Sequence, residues 1–474
     1  MNCHPSENNT NECRAPRASV SFLGLLVAAG AFACAPLTSL ALPSFARQMN
    51  MQCSACHTEF PVLNQFGREF KLTGYTQSAD TTNLPPFAVM LMPSFTHTQA
   101  AQAGGAAPGF SENNNTVITQ ASLFYGGRLF GPYAKSLFGD TAASWLNKVG
   151  VFSQMTYDGV AKTWSWDNTE IRFADSGSVG EHDVTYGVYA NNNPTLQDPW
   201  NSTPAWGYPY VGSGLAPSPT AGTFIDGAFA AQVVGVGAYV FVDDSIYVDV
   251  GAYKTLGFGM QRTFGVDPTG EAEIAHPAPY WRLAYETSVG DGRLEFGTFG
   301  MTAMTYPGRD SSMGTDKFTD VGLDSEYQIS FSKNDLTAMA NYVHESQSWS
   351  ASYALGNTAN PGDSLDTLKL TVNDVYDKTY AGSVQYFNID GTADTGLYTV
   401  NPHGSPNSDG FIFQVDYMPF NKDGGPKFWP RSNVQLTLQY TVYNRFEGAR
   451  SNYDGAGTNA SANNTLYAEA WIAF

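Results

Sequence analysis

The sequence predicts an all-β fold, a 16-stranded antiparallel barrel that spans a membrane, with a small helical segment ahead of it. Two observations predict the barrel. From Phe87 onward apolar and polar residues alternate with a period of two, as strands with one face in lipid and one in water require. The connections between these segments are either short or long, which is typical of outer-membrane barrels with tight turns at one rim and long loops at the other.

The composition of the 474 residues excludes several other classes of protein. There are 24 Lys and Arg residues against 43 Asp and Glu residues, so the net charge is −19 and the chain is not a nucleic-acid binder that neutralises phosphates. Charged residues make up 14% and aromatic residues another 14%, which fits neither a disordered acidic chain nor a coiled coil. No long apolar run follows the first fifty residues, so a helical membrane protein is also excluded.

Residues 1–41 are predicted to be a secretory signal peptide. Arg14 and Arg17 precede a mostly apolar stretch at 20–35, and Ser-Leu-Ala at 39–41 forms a small-x-small cleavage site. A retained membrane anchor is the alternative, but the apolar stretch ends before it could span a bilayer. The mature chain would therefore begin at residue 42 and be exported.

The segment 42–86 is predicted to be a small monohaem c-type cytochrome. Its Cys53-Ser54-Ala55-Cys56-His57 is the attachment pattern of haem c, in which two thiols form thioether bonds and the next residue is the proximal ligand of the iron. A thioredoxin-like redox pair would need a βαβ context, and half a zinc site would need a second ligand pair. We expect Cys53 and Cys56 to bind one covalent haem c, and His57 to ligate its iron and serve its electron transfer.

A short amphipathic helix is predicted directly after this motif. Pro61 suits a first helical position, Leu63, Phe66 and Phe70 recur at helical spacing, and Gly74 stands where a helix would end. A segment of this size has almost no core of its own. We therefore expect the haem to fill that core and the rest of the chain to shelter it as a plug inside the barrel.

The barrel is predicted to occupy residues 87–474. Strands are expected near residues 87, 116, 147, 164, 182, 224, 245, 280, 293, 318, 336, 366, 379, 410, 433 and 465. Sixteen is even, as a single-chain bacterial barrel requires, and the last strand ends on the aromatic Phe474. The connection at 131–147 departs from the pattern because it is long on the short-turn side. Its residues 134–146 could be helical.

The sixth ligand of the haem iron stays open at this point. The candidates are Met49, Met51, Met90, Met92 and His97. The alternation in the first strand turns Met90 and Met92 inward and His97 outward, although a bulge at Pro93 would reverse His97. A methionine ligand would raise the haem potential, so the interpretation favours methionine.

Several carboxylates are predicted to face the lumen. They are Asp249, Glu286, Asp320, Asp324 and Glu326. One interpretation is that they concentrate a cationic electron donor near the haem by their field. The other is that they are solvated wall residues, since porin lumens are polar in general.

A haem motif followed by sixteen strands resembles the fused monohaem cytochrome and porin family of outer-membrane iron oxidases. The similarity covers the whole mature chain, and its most specific stretches are LPSFARQ at 42–48, FGREFKL at 66–72, SFTHT at 94–98 and the loop from 191 to 206. Cys53, Cys56 and His57 match that family's haem motif residue for residue. No iron-binding residue carries over from the family.

The resemblance implies an Fe(II):cytochrome c oxidoreductase in the outer membrane, with both chain termini in the periplasm. Extracellular Fe(II) would be oxidised, and electrons would pass to a periplasmic c-type cytochrome or another electron carrier. Because the residues themselves do not name iron, two alternatives remain. One is an outer-membrane diffusion porin with an accessory haem, and the other is an electron conduit for a donor other than iron.

Overall fold

A closed antiparallel sheet forms the body of the protein. The computed structural model describes residues 43–79, 85–209, 211–227, 229–264, 272–426 and 432–474, so the predicted signal peptide at 1–41 lies outside the described residues. The strands are β1 (Phe87–Thr98), β2 (Asn115–Arg128), β3 (Val149–Asp158), β4 (Thr163–Val179), β5 (His182–Asn191), β6 (Val233–Val242), β7 (Ile246–Thr255), β8 (Ala272–Ile274), β9 (Ala278–Val289), β10 (Gly292–Pro307), β11 (Asp316–Phe331), β12 (Asn334–Ser348), β13 (Gly362–Tyr376), β14 (Tyr380–Gly391), β15 (Ser408–Tyr417), β16 (Asn433–Arg445) and β17 (Thr465–Ala473).

Pairing of the first strand with the last closes this sheet into a barrel. Each long strand pairs antiparallel with its neighbours in sequence, and β1 pairs with both β2 and β17. The three-residue β8 pairs only with the end of β10, while β7 pairs directly with β9. Sixteen long strands in the described ranges therefore form the wall, which confirms the predicted barrel and its strand number.

Helices are short and few in the described ranges. The α-helices are α1 (Pro43–Met49), α2 (Gln65–Leu72), α3 (Ala134–Leu146), α4 (Phe258–Phe264) and α5 (Ser350–Leu355), and single 3-10 turns lie at Cys53–Ala55, Gly131–Tyr133, Pro204–Trp206, Ser311–Met313 and Ala460–Asn463. Among these residues, no helix has both the length and the apolar character needed to cross a bilayer. The helix predicted from Pro61 instead begins at Gln65, where the side chain of Asn64 caps it by accepting a hydrogen bond from Gly67 N.

Alternating side chains give the wall two different surfaces. On β11, Val321 and Leu323 are 44% and 56% exposed on the outside, whereas Asp320 and Asp324 are buried on the inside. The same alternation of exposed apolar and buried polar residues recurs on β13 and β16. An apolar exterior on a closed barrel is what a membrane-spanning barrel presents to lipid.

Tight turns join the strands at one rim, which we call the short-turn rim. They lie at 180–181, 243–245, 290–291, 332–333 and 377–379. The opposite, long-loop rim carries the connections at 99–114, 256–277, 349–361, 392–407 and 446–464. Two long connections break the rule at the short-turn rim: 129–148, where the predicted helix is confirmed as α3, and 418–432, which the sequence did not predict.

One predicted strand, near residue 224, begins later than expected, at Val233. The described part of residues 192–232, which we call the inner loop, runs through the barrel interior before β6. Phe224 stacks on the inward-facing Phe318 with ring centroids 4.8 Å apart, and Ile225 is 1% exposed. Apolar residues near 224 therefore pack inside the barrel and do not face lipid, which is why a period-two pattern misplaced the strand.

Leu323→Arg is expected to destabilise the barrel in a membrane by about 2–4 kcal/mol, because it places a cation near the middle of the lipid-facing surface. Val179→Arg, at the rim end of β4 where the side chain is 69% exposed, should cost no more than about 1 kcal/mol. Urea unfolding in phospholipid vesicles measures both. Equal costs at the two positions would contradict the orientation of β11.

Candidate functional site

The Cys53–Cys56–His57 motif folds as a single tight turn. Cys53–Ala55 form a 3-10 turn, and the N–H groups of Cys56 and His57 both donate to the carbonyl of Cys53 at 3.1 Å. The chain then reverses, with Asn64 N donating to the carbonyl of Cys56 at 2.9 Å. Both thiols are free of a disulfide bond. The turn thus holds two thiols and one imidazole close together, as attachment of a haem c would require.

Helix α2 packs directly against this turn. The backbone of Gly67 approaches so closely that a Cβ at this position would lie 2.2 Å from the carbonyl oxygen of Cys56. The side chain of Asn64 also donates from Nδ2 to the carbonyl of Ala55 at 3.0 Å. Gly67 is therefore required for the close approach, and α2 fixes the position of the motif.

A cavity of about 320 Å³, the motif cavity, lies between the motif and the barrel wall. Cys53, Cys56 and His57 all line it, and this volume falls within the range of about 300–1,000 Å³ typical of cofactor sites. Aromatic side chains make up much of its lining, with Phe124, Phe152 and Trp471 from the barrel wall and Trp206 from the connection between β5 and β6. The structure therefore brings the three predicted site residues to one apolar cavity.

His57 is half-buried, and its imidazole has properties that suit a metal ligand. Burial lowers its pKa to about 4, against the opposing effect of the Pro61 and Val62 carbonyls, so the ring is neutral at neutral pH. Its Nδ1 is buried without a hydrogen-bond partner of good geometry among the described residues. A neutral imidazole with an unused nitrogen can ligate iron, and the two adjacent thiols could attach a haem. No cluster of three or more His, Cys, Asp or Glu side chains in the described ranges is arranged to hold a bare metal ion.

Four of the five candidates for a sixth ligand line the motif cavity. They are Met49, Met51, Met90 and Met92. Met90 and Met92 are 5% and 3% exposed on the inner face of β1, whereas Met51 is 40% exposed. His97 faces outward, where its Nδ1 lies 2.8 Å from the Asn114 side-chain oxygen.

The bulge considered at Pro93 lies on the partner strand. Met92 pairs with Gln120 and Pro93 with Ile118, so the extra residue is Thr119 of β2 and the alternation of β1 continues unchanged. Among the candidates, His97 is therefore turned away from the cavity, as the alternation without a bulge in β1 predicts.

Charged and polar contacts fasten the N-terminal segment to inward-facing wall residues. Arg68 forms ion pairs with Glu326 at 3.3 Å and with Glu286 at 3.5 Å, and it donates to Gln328 at 2.5 Å. Gln328 also donates from Nε2 to the carbonyl of Leu63 at 2.8 Å. Closer to the short-turn rim, Arg47 donates to the carbonyl of Phe87 at 2.5 Å. These bonds hold the segment against several strands at once.

The inner loop is fastened to the same segment and to the opposite wall. Lys71 donates from Nζ to the carbonyl of Asp198 at 2.5 Å and to the side chain of Asn201 at 2.7 Å. Arg282 of β9 forms a bidentate ion pair with Asp324 at 2.8 Å and contacts Asp198 at 3.2 Å. The N-terminal segment and the inner loop thus form one network across the barrel interior.

The predicted lumen carboxylates are bonded within this network. Asp324 binds Arg282, and Glu326 binds Arg68. The remaining three also have partners: Asp249 accepts from Tyr189 and Gln197, Glu286 accepts from Trp200 and Arg293, and Asp320 accepts from Ile225 N. This arrangement favours a structural role for the five carboxylates over attraction of a cationic donor.

A second cavity, of about 680 Å³, lies toward the long-loop rim and has Asp158 and Lys162 in its wall. We call this second cavity the vestibule. Gln120 and Asp167 line both the vestibule and the motif cavity, so the two cavities are neighbours at these side chains. Asp167 accepts a hydrogen bond from Thr156 at 2.7 Å. Neither residue was predicted from the sequence.

A bulge explains why the alternation along β4 did not predict that Asp167 lines the interior cavities. Ser153 pairs with Thr169 and Met155 with Trp166, so two residues of β4 oppose one of β3, and the alternation is interrupted at Asp167. Gln120, by contrast, is polar on β2, and the alternation alone could have indicated its inward position.

Comparisons with known proteins give structural likenesses of low identity. OmpT of Vibrio cholerae with loop L8 deleted is 12% identical with a TM-score of 0.41, covering 82% of this chain and 98% of that one. OprB of Pseudomonas putida is 12% identical with a TM-score of 0.45, covering 82% and 94%. An anion-selective porin from Comamonas acidovorans is 12% identical with a TM-score of 0.42, covering 82% and 98%. No protein-family model and no curated protein sequence matches the chain. The barrel is established by its own strand pairing.

Proposed function

We propose that this chain is an outer-membrane electron conduit, in which a haem c attached to Cys53 and Cys56 takes electrons from extracellular Fe(II) for a periplasmic carrier. The observation that carries the proposal is the convergence of both thiols and His57 on one apolar cavity inside a membrane-type barrel. Haem would supply one-electron chemistry there. Iron as the donor comes from the family resemblance described above.

The residues of the chain have distinct roles in this proposal. Cys53 and Cys56 hold the group, and His57 binds its iron in the neutral form. Phe124, Phe152 and other apolar wall residues exclude water, which tunes the potential through the local dielectric. The Arg68 ion pairs keep the attachment site fixed relative to the barrel.

The position of the motif cavity between the two rims of the barrel supports conduction. Ala88 and Ala473, near the ends of β1 and β17 at the short-turn rim, line the motif cavity. The vestibule, toward the long-loop rim, shares the lining residues Gln120 and Asp167 with the motif cavity. Because short turns of such barrels are periplasmic, a donor would approach through the vestibule and a carrier would dock at the short-turn rim. Fe(III) product would then stay outside the cell.

Stopped-flow mixing of the purified, oxidised protein with Fe(II) tests the proposal by recording haem reduction. Reduction is expected, and Asp167→Asn should slow it several-fold if the carboxylate guides the cation. A small reductant that acts without binding, such as hexaammineruthenium(II), is the control donor. Reduction by ruthenium but not by Fe(II) would leave a conduit for another donor. Reduction by neither, together with steady conductance in planar bilayers, would indicate a diffusion porin.

A methionine of β1 is expected to complete the coordination of the iron. Met90→Ala or Met92→Ala should remove the weak red absorption band of a sulfur ligand on Fe(III). The same variant should lower the potential on the order of 0.1 V, within the roughly 0.8 V range that axial ligands span. Met155→Ala, an outward residue that is 46% exposed, is the matched control. If neither β1 variant alters the spectrum, Met49→Ala is tested next, and an unchanged spectrum there would contradict ligation by a buried methionine.

A further inference from the structure

Helix α3 leaves large apolar side chains uncovered at the short-turn rim. Leu137 is 63% exposed, Phe138 is 48% exposed and Trp145 is 62% exposed. The helix is kinked at Gly139, where φ is 78°. Exposing three large apolar side chains to water is unfavourable, so this surface indicates a binding partner.

Contacts of α3 place it against the outside of the wall. Trp145 stacks on Phe173 with ring centroids 6.4 Å apart and an interplanar angle of 24°. Phe173 points outward, since Arg172 and Ala174 on either side of it are buried inside. Lys148, just past the helix, pairs with Asp175 of the same outward row at 2.5 Å. The helix therefore lies beside the exterior of β4.

The apolar exterior continues directly from the helix onto the strands. Leu123 of β2, Met155 of β3 and Ile171 of β4 are 49%, 46% and 46% exposed on that surface. On the helix itself, the exposed charges Lys135 and Asp140 form an ion pair with each other at 2.8 Å. A surface with Trp and Phe beside the lipid-facing band is typical of a membrane interface.

We propose that α3 is an interfacial anchor that inserts Leu137, Phe138 and Trp145 into the phospholipid leaflet bordering the short-turn rim. Continuity with the lipid-facing wall is the argument for lipid as the occupant. The anchor would fix the depth and tilt of the barrel next to the cavity where the N-terminal segment is held. This inference depends on the barrel being in a bilayer and not on haem or iron.

Spin labels on the full-length protein in phosphatidylcholine vesicles test the anchor. Leu137→Cys and Trp145→Cys variants are labelled, and accessibility to oxygen, which concentrates in lipid, is compared with accessibility to a water-soluble nickel chelate. Leu323→Cys provides the lipid-facing reference, and Asp291→Cys in a tight turn of the same rim provides the aqueous reference. Unchanged heat-dependent migration in gels confirms that each variant is folded.

The ratio of oxygen to nickel accessibility at 137 and 145 is expected to lie between the ratios at Leu323 and Asp291, as interfacial depth requires, and to exceed the ratio at Asp291 several-fold. Ratios equal to that at Asp291 would overturn the proposal. An aqueous ratio that becomes protected only when a periplasmic cytochrome is added would also overturn it, and would assign the surface to protein docking.

Discussion

Cys53→Ala combined with Cys56→Ala is expected to abolish covalent haem completely. In the proposed attachment, thioether bonds to these two thiols hold the haem, and no other cysteine lies in the described part of the chain. Denaturing gels stained for haem peroxidase activity measure the result, with one band expected at the mass of the mature wild-type chain. Persistence of the stain in the double variant would contradict the assignment of the site.

Ser54→Ala is the matched control for that variant. Ser54 lies between the two cysteines and is 2% exposed, yet it offers no attachment chemistry. The control should keep the stain, and both proteins should show the same heat-dependent migration, because the barrel does not need the thiols. Loss of the stain in Ser54→Ala as well would point to misfolding of the turn.

Arg282→Met is expected to destabilise the protein by about 3–5 kcal/mol, because it leaves buried carboxylates without their cation. The Arg282 side chain is fully buried and contacts Asp324 at 2.8 Å, Glu295 at 3.1 Å and Asp198 at 3.2 Å. Asp198 belongs to the inner loop, so the loop should also detach from the wall. Urea unfolding in detergent measures the loss, and increased proteolysis within residues 192–232 would report the detached loop.

Lys422→Met is the control for Arg282→Met. It also removes one positive charge, but from an ion pair that is exposed to solvent. Lys422 is 48% exposed and lies 2.7 Å from Asp377. Exposed pairs contribute about 0–1 kcal/mol, so this variant should unfold nearly as the wild type does. If the two variants lose similar stability, the buried network does not hold the inner loop in place.

The sequence predicted the wall well because one physical requirement shapes every strand. Leu323 must face lipid and Asp324 must not, and this requirement repeats along the chain with a period that can be read directly. The same logic correctly turned Met90 and Met92 inward. The motif Cys53–Cys56–His57 could be recognised because the attachment of a haem c would need this spacing, and the haem itself stays a prediction.

The interior could not be predicted in the same way. The partners of Arg68, namely Glu286 and Glu326, are distant in sequence, and no local pattern marks which lumen carboxylates will meet a cation. The region of Phe224 was predicted as a strand because burial in the lumen and exposure to lipid both favour apolar side chains. Asp167 depends on a bulge, which alternation alone does not reveal.

The seam between β1 and β17 has a consequence for the order of assembly. Met90 and Met92 come from β1 and Trp471 from β17, so the two strands that complete the barrel also supply a wall of the motif cavity. Joining the seam therefore encloses the motif in the same event. Enzymes that attach haem need exposed thiols, so attachment would precede insertion into the membrane. In a chain that inserted first, the motif would already lie between the joined strands before the proposed haem could be attached.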